Sequence, residues 1–199
     1  MTRYNAHDNF FYPGTNIPQN KLNIKDTELL EEIEKESMDR VYKLFLTEFP
    51  KQYTAKYLDN IHEEIFGKIY TWAGKYRNVD LEKGNTRFAN CQYIPKLMRE
   101  WENFLREIQS HDHNKHELAY KLSVISVEFN AIHPYRDGNG RTIRFLLDQL
   151  AVQHEYQTIW SNINFSEEFR KEYMSASEKG VIEKDYKPMT NIIERNLIK

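Results

Sequence analysis

The chain has 199 residues, with 28 Lys+Arg against 30 Asp+Glu for a net charge of -2, and is 40% hydrophobic and 14% aromatic. That is the length of one domain with enough apolar content for a packed core, which excludes a disordered chain, and the balanced charge excludes nucleic-acid binding through bulk positive charge. A single Cys excludes an intrachain disulfide framework and a cysteine-rich zinc site, and with seven Gly in all, any cluster of glycines is informative.

Residues 1–25 predict an irregular arm packed on the core, with Pro13, Gly14 and Pro18 among the aromatics Tyr4, Phe10, Phe11 and Tyr12. Residues 26–199 predict one mostly α-helical domain. Leu30, Ile33, Val41, Leu44 and Phe45 predict an amphipathic helix from Asp26 to about Glu48, ended by Pro50. Leu58, Ile61, Ile65, Phe66 and Ile69 predict a second, from Thr54 to Trp72. Between Tyr76 and Ala89, Val79, Leu81 and Phe88 alternate around Lys83-Gly84-Asn85, which predicts a small β-hairpin. Helical spacing resumes from Ile94 to Ile108, with Pro95 in the first turn, and again from Leu118 to Ile132. After a loop at 133–140 another helix carries Ile143, Leu146, Leu147 and Leu150, and two shorter ones cover Ser166–Gly180 and Pro188–Leu197.

The N-terminus has no apolar targeting run, and no stretch approaches the roughly 20 apolar residues of a membrane helix. The mean hydropathy of -0.79 agrees. The cytoplasm is the expected location, with no membrane and no nucleic-acid partner.

The loop His133-Pro134-Tyr135-Arg136-Asp137-Gly138-Asn139-Gly140-Arg141, with Arg144 one turn on, carries the chemistry. Two of the seven glycines stand where a helix begins. Backbone N–H groups at a helix N-terminus have no intrahelical partner and carry partial positive charge, so Gly138, Asn139 and Gly140 can cradle an anion, with the Asn139 amide as a further donor. Arg141 and Arg144 suit further phosphates. A carboxylate beside phosphates, Asp137, suits a mediating Mg²⁺. His133 has the residue type of a general base. Taken singly, each of these residues is better explained by an interhelical turn, since Asp, Gly and Asn are turn formers. Within twelve positions they point to phosphate chemistry without choosing the reaction.

The stretch resembles the signature of Fic-domain proteins, His-Pro-Phe-x-(Asp/Glu)-Gly-Asn-(Gly/Lys)-Arg, departing only in Tyr135 for Phe. The likeness extends to Ile61-His62 through Tyr76-Arg77, to Lys83-Gly84-Asn85-Thr86-Arg87-Phe88-Ala89, which is similar to the family's flap, and to Tyr12-Pro13-Gly14-Thr15. It implies a Fic fold, a helical bundle with a β-hairpin flap beside the active-site loop. It also implies a Mg²⁺-dependent protein adenylyltransferase that moves AMP from ATP to a Ser, Thr or Tyr hydroxyl and releases pyrophosphate. His133 would be the base, Asp137 the Mg²⁺ ligand, Gly138-Asn139-Gly140 the α-phosphate nest, and Arg141 and Arg144 the β- and γ-phosphate ligands. Lys83, Gly84 and Arg136 are counted with the nucleotide site. Asn85, Thr86, Arg87 and Phe88 are counted with a flap edge that pairs with the target.

The family's inhibitory helix, (Ser/Thr)-x-x-x-Glu-(Gly/Asn), is matched incompletely at Thr27–Glu31 and Thr190–Glu194. The toxin-like N-terminus therefore implies a separate small antitoxin with a Glu against Arg144. The alternatives are a Fic-fold enzyme transferring another phosphate-containing group, and a non-catalytic binding module. His111, His113 and His116 are read as a solvated loop and helix start, His62 as a packing residue, and Cys91 as unreactive.

Overall fold

A computed structural model describes residues 10–83, 86–109, 113–160, 163 and 166–199. Helix starts follow side-chain caps. Asp26 accepts the Leu29 N–H ahead of α1 (Thr27–Phe45), and Thr54 accepts the Tyr57 N–H ahead of α2 (Ala55–Phe66). A hairpin follows, β1 (Glu82–Lys83) antiparallel to β2 (Thr86–Arg87) in the register Glu82 to Arg87 and Lys83 to Thr86. A 3-10 turn at Cys91–Tyr93 leads into α3 (Ile94–Gln109). Asn114 and Glu117 form a reciprocal capping box for α4 (Lys115–Ile132). The chain closes with α5 (Asn139–Gln153), α6 (Glu167–Glu183) and α7 (Lys187–Asn196).

Helix α4 is the hub, in contact with α3, α5, α6 and α7. It buries apolar residues on every side, as a helix enclosed by others must. Around it lies one core, with Trp101, Leu122, Phe129, Leu147 and Ile193. A second core joins the N-terminal arm to α1 and α2 through Ile17, Val41, Ile65 and Phe66, and Phe145 of α5 reaches into it. In the arm, Phe10 and Ile17 are buried and Phe11 bridges Pro18. The first nine residues, Tyr4 among them, lie outside the described residues.

Two helices stop earlier than the spacing predicts. Helix α1 ends five residues short of Pro50, because the Gln149 amide on α5 donates to the carbonyls of Phe45 (2.7 Å) and Glu48 (3.2 Å). Helix α2 ends before Trp72. The Lys21 ammonium takes the Gly67 carbonyl and the Lys21 N–H takes that of Ile69, so the arm supplies the partners a further turn of helix would have used. No helix among the described residues is long and apolar enough to cross a membrane.

Candidate active site

Helix α4 ends on His133, whose backbone is left-handed (φ 52°) although it is not glycine. That conformation costs on the order of 1 kcal/mol, and the structure repays it through Arg77. The Arg77 guanidinium donates to the carbonyls of His133 (2.8 Å), Ile132 (3.1 Å), Val79 (2.6 Å) and Ala89 (2.5 Å), while its N–H meets Pro134 (2.8 Å). One side chain thus ties the end of α4 to both feet of the hairpin. The Phe88 ring lies flat on the His133 imidazole, 3.9 Å between centroids. Burial, with the positive charge of Arg77, pushes His133 down to about 3, so the imidazole is neutral at physiological pH.

The loop beyond is closed on itself. Tyr135 is fully buried, and its hydroxyl donates to Asp59 (2.8 Å), the partner a Tyr in place of Phe requires. The Asn139 amide spans the loop, accepting the Tyr135 N–H (2.9 Å) and donating to the Tyr135 carbonyl (2.8 Å). The expectation that this amide faces the anion is therefore corrected. Asn139 is wholly buried, and what it offers a phosphate is its backbone N–H at the start of α5.

Gly138 is left-handed (φ 80°), and a Cβ there would stand 2.4 Å from the Phe66 ring. Its N–H is taken by the Asp137 carboxylate (2.7 Å), and its carbonyl accepts the Thr142 hydroxyl and N–H. His62 holds the preceding peptide. The Gly74 N–H donates to Nδ1 (2.9 Å), which leaves the proton on Nε2, donated to the Asp137 carbonyl (3.0 Å). Burial pushes His62 down to about 4 and keeps it neutral, and its ring stacks on Tyr135 at 3.9 Å. His62 does pack, as the sequence predicts, but it also fixes the loop.

Three cavities of about 790, 630 and 500 Å³ surround the N-terminal turn of α5, and Arg144 lines all three. Asp137, Lys83 and Arg141 meet Arg144 in the second. His133, Phe88, Thr86 and Gly140 meet it in the third, whose far wall is Tyr173 and Met174 of α6. The structure therefore brings His133, Asp137, Gly140, Arg141, Arg144, Lys83 and the start of β2 to one place. Arg87 is exposed and borders Asp80. Arg136 turns the other way, 5% exposed, with its guanidinium 3.9 Å over the Phe10 ring. Gly84 and Asn85 lie outside the described residues, as do His111 and Asp112.

Glu194 pairs with His116 at the opposite end of α4 (2.9 Å), about 25 Å along the helix from His133, so it does not reach Arg144. Glu31 lines the 630 Å³ cavity with Arg144. His113 and His116 flank the start of α4, and no group of three or more potential metal ligands occurs among the described residues. Cys91 donates its N–H to Asp80 and is half-buried. Arg77, His62 and Glu34, which holds Arg141, escaped sequence reasoning as site residues. Arg77 and His62 stood within the stretch of family likeness, and that is the one signal that could have found them.

The family model described as the Fic/DOC family matches residues 52–151. A probable protein adenylyltransferase Fic of Escherichia coli is 32% identical over 164 residues, 79% of this chain and 79% of that protein. The protein adenylyltransferase VbhT of Bartonella schoenbuchensis is 32% identical over 173 residues, 84% of this chain but 36% of that longer protein. In shape, the crystal structure of the BepC protein with bound AMPPNP from Bartonella tribocorum agrees with a TM-score of 0.79, covering 94% of this chain and 95% of that one at 24% identity, a likeness of fold. From the signature loop outward to the whole bundle, sequence and architecture agree that this chain belongs to the Fic/DOC family.

Proposed function

We propose that the chain is a protein adenylyltransferase, transferring AMP from ATP to a Ser, Thr or Tyr hydroxyl of a target protein and releasing pyrophosphate. The observation that carries the reading is a neutral imidazole, His133, beside a glycine-led helix start with two arginines on its first turns. The relatives named as adenylyltransferases support the same reaction.

In this reading the target hydroxyl gives its proton to His133 as it attacks the α-phosphorus. The first N–H groups of α5 meet the developing negative charge. Arg141 and Arg144 hold the outer phosphates in line. The apolar wall of Tyr173 and Met174 takes the base. The donor chemistry also fits Mg²⁺, since Asp137 is a hard carboxylate in the cavity that holds Lys83, Arg141 and Arg144. A magnesium ion carried on substrate phosphates needs only one or two protein carboxylates and would neutralise charge on the leaving pyrophosphate. Arg136, stacked on Phe10, has no part here. The edge at Lys83, Thr86, Arg87 and Phe88 is the docking strand for an extended target segment. Consumption of ATP makes the cytoplasm the natural place of action.

We further read the protein as a toxin held by a small antitoxin whose carboxylate occupies Arg144. The cleft of about 790 Å³ between α1 and α6, which opens onto Arg144 and is floored by Met38, Tyr42 and Trp160, has room for such a segment.

Incubation with α-labelled ATP, Mg²⁺ and cell lysate, in parallel with His133→Ala, tests the reading. A labelled protein band that vanishes in the variant is expected. Label from γ-labelled ATP alone would indicate a kinase, and none from either a binding module.

A further inference from the structure

Arg141, at the end of the loop, is held by a charge from a distant helix. Glu34 stands in the middle of α1, and its side chain is only 3% exposed. One carboxylate oxygen accepts from the Arg141 guanidinium (2.5 Å), and the other accepts from the Tyr70 hydroxyl. From below, the Phe66 ring lies 4.5 Å from the guanidinium. Arg141 is 27% exposed and lines the cavity shared with Lys83, Asp137 and Arg144. One edge of its guanidinium is thus bound to protein and the rest is presented to the site. A free arginine carries much rotamer freedom, which it loses on meeting a ligand, and a guanidinium fixed beforehand loses less.

Glu34 is placed to hold rather than to block. Both oxygens are engaged on the protein side. One turn on, the Ser37 hydroxyl donates to the Ile65 carbonyl (2.5 Å) and pins α1 to α2, which fixes the backbone that carries Glu34 at the rim of the cavity it shares with Arg141. Glu31, one turn earlier, is exposed, whereas Glu34 is buried.

We propose that Glu34 is a positioning residue, orienting Arg141 for the phosphates beyond the α-phosphate of the bound nucleoside triphosphate. This rests on the adenylyl-transfer reading and adds to it a residue from outside the signature loop.

The test compares two ligands in the full chain. AMPPNP carries the outer phosphates, whereas AMP lacks them. Glu34→Ala is expected to weaken AMPPNP binding by about tenfold in calorimetry and to raise KM for ATP by a similar factor, while AMP affinity stays at the wild-type value. Glu34→Gln keeps a hydrogen-bond acceptor for Arg141 and recovers most of the loss. Tyr70→Phe removes only the hydroxyl on Glu34 and gives a smaller loss in the same direction. Should Glu34→Ala fail to fold, Tyr70→Phe decides by the same AMPPNP-to-AMP ratio. Unchanged AMPPNP affinity, an equal loss for both ligands, or tighter binding with faster transfer would each overturn the proposal, the last by making Glu34 a brake. A wild-type chain that binds AMPPNP but transfers nothing leaves Glu34 standing and removes AMP transfer instead.

Discussion

The signature loop and the hairpin lie against each other across His133, and they are built in opposite ways. In the loop, Tyr135, Asp137, Gly138 and Asn139 are each held by hydrogen bonds, most of them buried, and His62 locks the peptide between Asp137 and Gly138. The hairpin has strands of two residues each, its Glu82, Lys83 and Arg87 are exposed, and Arg77 anchors its feet rather than its edge. In the adenylyl-transfer reading proposed above, the difference follows from what each region would meet. A transferring phosphoryl group has one geometry, and misplacing its donors by about 1 Å costs on the order of a hundredfold in rate. A docking edge meets its partner through main-chain hydrogen bonds, which tolerate many sequences.

The largest effect that would break this contrast is at Gly138. Gly138→Ala places a methyl 2.4 Å from the Phe66 ring in a left-handed backbone. AMP transfer by the purified variant should fall by roughly a hundredfold or more. Near-normal activity would show the loop to be adaptable after all. Arg77→Lys tests the joint between the two regions. It keeps the charge but loses the fork that serves four carbonyls, so stability should drop by about 2 kcal/mol and the melting temperature by several degrees. An unchanged melt would mean that those carbonyls are served by other groups.

On the hairpin side, Arg87→Pro removes a main-chain N–H that points away from the partner strand, since Arg87 faces Glu82 in the non-hydrogen-bonded pair of the ladder. Target modification should fall several-fold through KM for the target, AMPPNP affinity should hold, and stability should stay within about 0.5 kcal/mol. A fall in nucleotide affinity instead would move Arg87 from the docking edge into the nucleotide site.

The smallest effects concern pH. Because His133 is held down to about 3, kcat/KM should show no inflection near 6.5, where an ordinary imidazole would titrate. Stability carries the opposite mark. Unfolded His62 and His133 bind protons near 6.5 that the folded side chains refuse until about 4 and about 3, so melting temperature should decline as pH falls below about 6.5. Asp148 acts with the other sign. Burial raises it from 3.8 to about 6 in the fold, and below that pH it offsets part of the loss. A melting temperature flat from neutral to about pH 5 would contradict the two buried neutral imidazoles.

The loop was legible in the sequence because its parts are contiguous. His133, Asp137, Gly138, Gly140, Arg141 and Arg144 stand within one loop and two helical turns, and local backbone geometry alone brings them to a helix start. Helix positions were legible for the same reason, since 3.6-residue spacing and caps act over a few residues. Helix ends were not. The ends of α1 and α2 depend on Gln149 and Lys21, far away in the chain.

The sequence by itself thus determined a mostly helical domain of the Fic/DOC kind and the chemistry of one loop. Only the tertiary structure decided that the Asn139 amide faces inward, that Arg136 turns to Phe10, that Glu194 is out of reach, and that Arg77, His62 and Glu34 bond to residues of the signature loop. Glu34 and Arg141 are 107 positions apart. Nothing periodic relates them. They meet because apolar residues of α1, α2 and α5 share one core, and an ion pair so placed is a consequence of that packing rather than of any local pattern.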